Sequence, residues 1–109
     1  MISVYCDGSS SGGSHKPGGY GWVITRGEEV LLWGYGGSPS TTNNLQEIEG
    51  AIQGLTGLLT AMLQEGEAVE LVSDSQYTLG LVTGAYHATS NLEQVAKLRS
   101  LAARVRNLR

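Results

Sequence analysis

Three acids stand where the sequence changes character. Asp7 closes a run that alternates apolar and polar residues, Asp74 closes a second apolar run, and Glu47 lies near the start of a long amphipathic segment. If the two runs form neighbouring parallel strands, Asp7 and Asp74 end side by side, at the strand-end edge where α/β sheets bind ligands. A helix starting near that edge brings Glu47 to the same place. Three unpaired carboxylates that close repel one another, so the cluster calls for a divalent cation, and an all-oxygen donor set suits Mg²⁺ or Mn²⁺. Each aspartate also has an ordinary structural alternative: Asp7 as a turn residue before Gly8, Asp74 as the N-cap of the next helix.

Periodicity outlines the elements that must position these acids. Residues 2–6 set Ile2, Val4 and Cys6 against Ser3 and Tyr5, which predicts a strand stopping at Asp7-Gly8. Ser9 through Gly19 reads as a glycine and serine loop, Tyr20 through Thr25 as a second strand, and Gly27-Glu28 as a hairpin turn into a third strand from Val30 to Tyr35. Residues 36–41 read as another loop. Thr42 or Asn43 then caps a helix whose apolar residues recur at 45, 48, 52, 55, 59 and 62, with Gly66 as its end. Gly50, Gly54 and Gly57 fall inside that helix, where each costs up to about 1 kcal/mol relative to alanine, so close backbone packing is expected.

Residues 68–73 predict a fourth strand, able to return parallel to the first by a right-handed crossover. A short helix over 75–84, a linker over 85–90 and a final amphipathic helix marked by Leu98, Leu101, Val105 and Leu108 complete the chain. The fold class expected is α/β in one domain over residues 1–109, order βββαβαα, with three antiparallel strands and a parallel fourth.

Composition narrows the function classes. The chain has 109 residues with 16 glycines but 2 prolines and no G-X-Y period, which excludes collagen-like and linker-like chains. Cys6 is the lone cysteine, so no internal disulfide forms, and folded-looking sequence begins at once; a soluble, cytoplasmic protein is expected. The longest apolar run, Val30 to Trp33, is far short of the roughly 18 to 20 residues of a membrane span. Residues 1–96 carry all 10 acids against Lys16 and Arg26, while Lys97, Arg99, Arg104, Arg106 and Arg109 crowd the end. A basic end on an acidic body suggests either a polyanionic partner or a solvated helix face.

Four segments together resemble type 1 ribonuclease H: Asp7-Gly8-Ser9, Pro17-Gly18-Gly19-Tyr20-Gly21-Trp22, Thr41-Thr42-Asn43-Asn44-Leu45-Gln46-Glu47 and Ser73-Asp74-Ser75-Gln76-Tyr77. The resemblance covers residues 2 to about 80 well and the final helix more loosely. It implies a ribonuclease H-like fold and a metal-dependent endonuclease that hydrolyses the RNA strand of RNA/DNA hybrids. Asp7, Glu47 and Asp74 match the catalytic carboxylates that hold two divalent ions, Mg²⁺ or Mn²⁺, in that family. The resemblance further implies that Asn43, Asn44 and Gln76 touch the minor groove of the hybrid, and that Gly8 and Ser9 let the backbone approach the RNA strand. Glu49, roughly 200° around the helix from Glu47, is left outside the site.

Typical members continue into a fifth strand, a His loop and a helix bearing a fourth carboxylate, none of which has a counterpart before Arg109. His15 and His87 match no catalytic position. Strand four is then expected to present an unpaired edge. The chain is expected to be part of a longer one, to borrow a strand from a partner chain or protomer, or to tolerate the open edge. Hybrid binding would rest on Arg99 and Arg106, unless they are solvated. The alternative function is a catalytically impaired module that binds nucleic acid or a partner.

Overall fold

The computed structural model describes residues 1–12, 16–60 and 67–105. Its elements are β1 (Ile2–Ser10), β2 (Lys16–Arg26), β3 (Glu29–Thr41), α1 (Asn43–Thr60), β4 (Val69–Val72), α2 (Gln76–Thr83) and α3 (Leu92–Arg104). They form one four-stranded sheet in the order β3-β2-β1-β4. β1 runs antiparallel to β2, from Ile2 opposite Arg26 to Ser10 opposite Gly18, and parallel to β4, from Ile2 opposite Val69 to Tyr5 opposite Val72. The expected mixed sheet and element order are both present.

The alternation in β1 decides which face is covered. Ile2, Val4 and Cys6 are buried, together with Ile24 of β2, under Ile48, Ala51, Ile52, Leu55 and Leu58 of α1. Leu45 N–H donates to Thr42 Oγ1 at 3.2 Å, so Thr42 supplies the capping oxygen of α1. The three glycines of α1 lie against the sheet: a Cβ at Gly54 would come to 2.9 Å from Val4 Cγ1, and one at Gly57 to 2.7 Å from the Trp22 ring. Their cost in helix propensity is offset by close approach of helix and strands.

Strands β1 to β3 run longer than expected. β1 continues through Asp7 to Ser10, β2 begins at Lys16, and residues 36–41 are strand rather than loop. Glycine is here the counterpart of an aromatic ring. Trp22 lies opposite Gly34 and Tyr20 opposite Gly36, and a Cβ at either glycine would strike the facing ring. Backbone ladder bonds need no side chain, so the pairing survives a composition that reads locally as turn. Asp7, paired with Gly21, is accordingly a strand residue rather than a turn residue.

β4 is four residues long, within the predicted span of 68–73. Ser75 caps α2, accepting from Thr78 N–H, and Gly84 closes it with φ of 86°, which removes the capping alternative for Asp74. α3 packs on α1 through Val95, Leu98 and Leu101. Arg99 donates to Leu81 O at 2.9 Å and Tyr86 O at 3.1 Å, so it staples α3 to the end of α2. At the opposite end of β1 from Asp7, Arg26 grips Glu67 with two bonds of 2.7 and 3.0 Å. Among the described residues no helix is long and apolar enough to cross a membrane. His15, the predicted helix end at Gly66, and Arg106, Leu108 and Arg109 lie outside the described residues.

Candidate active site

Parallel register brings the two aspartates together. Tyr5 and Val72 are partners, and Asp7 and Asp74 each lie two residues further along. β4 has ended by then, so among the described residues no strand pairs with Asp7 on that side. α1 starts at the same end and carries Glu47 in its second turn. Asp7, Glu47 and Asp74 each offer a carboxylate oxygen, and these oxygens all lie within 4.8 Å of one another.

The three acids differ in environment. Asp7 and Asp74 are exposed, whereas Glu47 is buried. Gly8 N–H donates to Glu47 Oε1 at 2.7 Å and to Asp7 Oδ1 at 3.0 Å, and Ser73 Oγ–H points at Glu47 Oε2 from 3.4 Å. Only glycine fits at position 8, since a Cβ there would strike the backbone of Gln46 and Glu47. Burial pushes the Glu47 carboxyl above its ordinary range, the Gly8 N–H pulls it back, and the nearby Asp7 and Asp74 add to the rise. Cys6, just beneath, has its thiol pushed up to about 12, by burial first and then by the charge of Glu47. It is a neutral core residue.

Among the described residues, no ion pair to a cationic side chain is recorded for these acids. Three hard oxygen donors with mutually unfavourable charges suit a divalent cation.

The other predicted residues surround the cluster at different distances from it. Gly8 touches Glu47 directly. Asn43 Oδ1 accepts from Ser10 N–H at 2.5 Å and Ser10 Oγ at 3.0 Å, which ties the start of α1 to the end of β1. Asn43, Asn44 and Gln76 are exposed at the starts of α1 and α2, and Ser9 is exposed on β1. A cleft of about 430 Å³ lies along Asp7, Gly8, Ser9, Gly19, Tyr20 and Gly36. A larger groove of about 550 Å³ runs from Asp7 and Asp74 across Tyr5, Val23, Trp33, Tyr35 and Val72.

Two features escaped the sequence reading. Ser73 lies inside a motif singled out for its neighbours, but only the fold shows its reach to Glu47. The aromatic groove was foreshadowed by alternation, which sets Tyr5, Val23, Trp33 and Tyr35 on one side of their strands.

Residues 1–107 match the sequence profile of RNase H. The chain belongs to the ribonuclease H family. Among curated members, Ribonuclease H of Sulfurovum sp. (strain NBC37-1) is 42% identical over 80 residues, which are 72% of this chain and 49% of that protein. This member spans about half the length of the curated relatives it matches. Among solved structures, LC11-RNase H1, isolated from compost by a metagenomic approach, is 30% identical with a TM-score of 0.84, covering 99% of this chain and 80% of that one. The same protein solved with an RNA/DNA hybrid gives a TM-score of 0.83 at 30% identity, over 99% of this chain and 81% of that one. The likeness is to type 1 ribonucleases H. The family depends on divalent metal, and the acidic cluster is a donor set able to bind it.

Proposed function

We propose that the protein hydrolyses the RNA strand of RNA/DNA hybrids, with Asp7, Glu47 and Asp74 as catalytic residues holding Mg²⁺ or Mn²⁺ as a pair of ions. The observation that carries this reading is the convergence of three carboxylates within 4.8 Å in a ribonuclease H family member. A solved relative that binds an RNA/DNA hybrid supports the choice of substrate. Bound divalent metal supplies an activated water and offsets charge at the scissile phosphate. The chain's own residues prepare for it: Gly8 N–H orients Glu47 and Asp7 together, and the buried Glu47 carboxylate keeps an oxygen within 4.8 Å of those of Asp7 and Asp74. Gly8 and Ser9 admit the RNA backbone. Asn43, Asn44 and Gln76 present amides at the rim, where such groups reach 2′-hydroxyls and base edges.

The domain reading goes with this one. Residues 1–109 form a single ribonuclease H-like domain whose β4 edge is completed, in the working enzyme, by further polypeptide from a longer chain or a partner. Among the described residues no strand pairs with the outer side of β4, which supports it.

Incubating the chain with an end-labelled hybrid and Mn²⁺ tests the function. Cleavage of the RNA strand that falls to background in Asp7→Asn is expected. Equal activity in that variant overturns the assigned roles, and hybrid binding without turnover at high Mn²⁺ favours the noncatalytic module.

A further inference from the structure

We infer that Ser73 is a positioning residue that ties two of the three carboxylates into one unit through its hydroxyl; the inference rests on the metal reading above. Ser73 lies between the end of β4 and Asp74. Its Oγ–H points at Glu47 Oε2 from 3.4 Å, and the same oxygen accepts Ser75 N–H at 3.1 Å. One proton and two lone pairs are enough for both contacts at once, and the Cys6 sulfur, which lies beside the same hydroxyl, is a neutral thiol and a weak acceptor, so Glu47 takes the proton. The first crosses to α1, while the second shapes the turn on which Asp74 stands.

Each end of this link is itself anchored. Glu47 is held at its other oxygen by Gly8 N–H at 2.7 Å, so both oxygens of the carboxylate have a donor and its plane is set. Ser75 accepts from Thr78 N–H at 3.1 Å and donates to Thr78 Oγ1 at 2.9 Å, and Thr78 is fully buried in the first turn of α2. The Ser73 hydroxyl, the Ser75 backbone N–H and the Ser75 hydroxyl therefore connect the Glu47 acid to Thr78 inside α2, with Asp74 between. Among the described residues, no hydrogen bond to the Asp74 carboxylate is recorded, which leaves the Ser73–Ser75 turn as what sets its place. At 3.4 Å the Glu47 contact is long for O–H···O, so Ser73 contributes direction more than strength.

The test is Mn²⁺ binding by calorimetry, without nucleic acid, on the parent, Ser73→Ala, Ser73→Thr and Asp7→Asn, with thermal unfolding of each. Loss of a residue that orients a metal ligand typically weakens binding about 10- to 100-fold. Ser73→Ala is expected to fall in that range with an unfolding midpoint near the parent's, and Ser73→Thr, which keeps the hydroxyl, to bind within about twofold of the parent. If Asp7→Asn loses Mn²⁺ but Ser73→Ala binds like the parent, the inference fails and the metal reading stands. Should Asp7→Asn bind like the parent, the metal reading fails and takes the inference with it. Equal losses in Ser73→Ala and Ser73→Thr overturn it as well, because the hydroxyl would then not be the cause. If Ser73→Ala does not fold, Ser73→Cys, similar in size but a weak donor, is measured in its place against the same two limits.

Discussion

On the side facing α1, the sheet presents Ile2, Val4 and Ile24, all fully buried, and helical glycines bring α1 close enough for its aliphatic residues to fill the space. Its other side presents Tyr5, Val23, Trp33 and Tyr35, with Trp33 65% and Tyr35 79% exposed and their rings stacked at 6.3 Å. Stability comes from the first face. The second adds little to it and leaves a contiguous apolar surface, the kind that marks an interaction site. The acidic cluster straddles the two: Glu47 comes from the covered side, fixed and buried, while Asp7 and Asp74 line the groove on the open side. One acid is held by packing and the others by where the strands end.

The largest effect expected from this contrast is at the covered face. Leu55 is fully buried beneath the sheet, and Leu55→Ala should cost about 2 to 5 kcal/mol in urea unfolding. A loss below about 1 kcal/mol would mean that α1 does not seal this face.

Gly54→Ala sharpens the same point because two effects oppose each other there. Alanine gains up to about 1 kcal/mol in helix propensity. Its methyl, however, would sit 2.9 Å from Val4 Cγ1, on a fully buried β-branched residue with little rotamer freedom. Overpacking typically costs about 1 to 3 kcal/mol, so the variant should be net destabilised. A more stable variant would show that helix and sheet are less tightly apposed than the glycine spacing requires.

These contrasts mark what could be read in advance. Alternation in residues 2–6 and the three-and-four spacing of α1 are local signals, and they placed Glu47 and the covered face correctly, while β1 runs on past Asp7. The strand extents were not local. Gly34 and Gly36 belong to a strand only because Trp22 and Tyr20 lie across from them, a fact of pairing that composition hides. That Arg99 also holds α3 to the end of α2, through Leu81 O and Tyr86 O, is likewise invisible in its position among the terminal cations. Ser73 acts across 26 residues of chain, beyond any periodicity.

Glu47 offers a smaller effect, on pH. Its folded-state carboxyl titrates above the ordinary value, mainly through burial, so ionisation works against folding when no metal is present. That contribution is fully favourable below the unfolded value and is lost as pH rises through the folded one. In EDTA at neutral pH, Glu47→Gln should therefore unfold at a higher temperature than the parent, and the gap should close as pH falls toward the ordinary carboxylate range. A gap that widens on acidification would reverse the sign and place the cause elsewhere.

Smallest of all should be Trp33→Ser on the open face. The ring is 65% exposed and its recorded ring partner is Tyr35, itself 79% exposed, so little apolar area returns to water on unfolding. Aromatic pairs add about 0.5 to 1.5 kcal/mol beyond area burial, and this one is largely solvated, which puts the expected cost below about 1 kcal/mol. The measurement discriminates because stability that depends on association also depends on protein concentration. At micromolar protein the parent and Trp33→Ser should unfold nearly together, and the difference should stay small when both are concentrated a hundredfold. A cost above about 2 kcal/mol that grows with concentration would mean that a second copy covers this face in solution. The two sides of the sheet would then differ in which chain buries them, and no longer in whether they are buried.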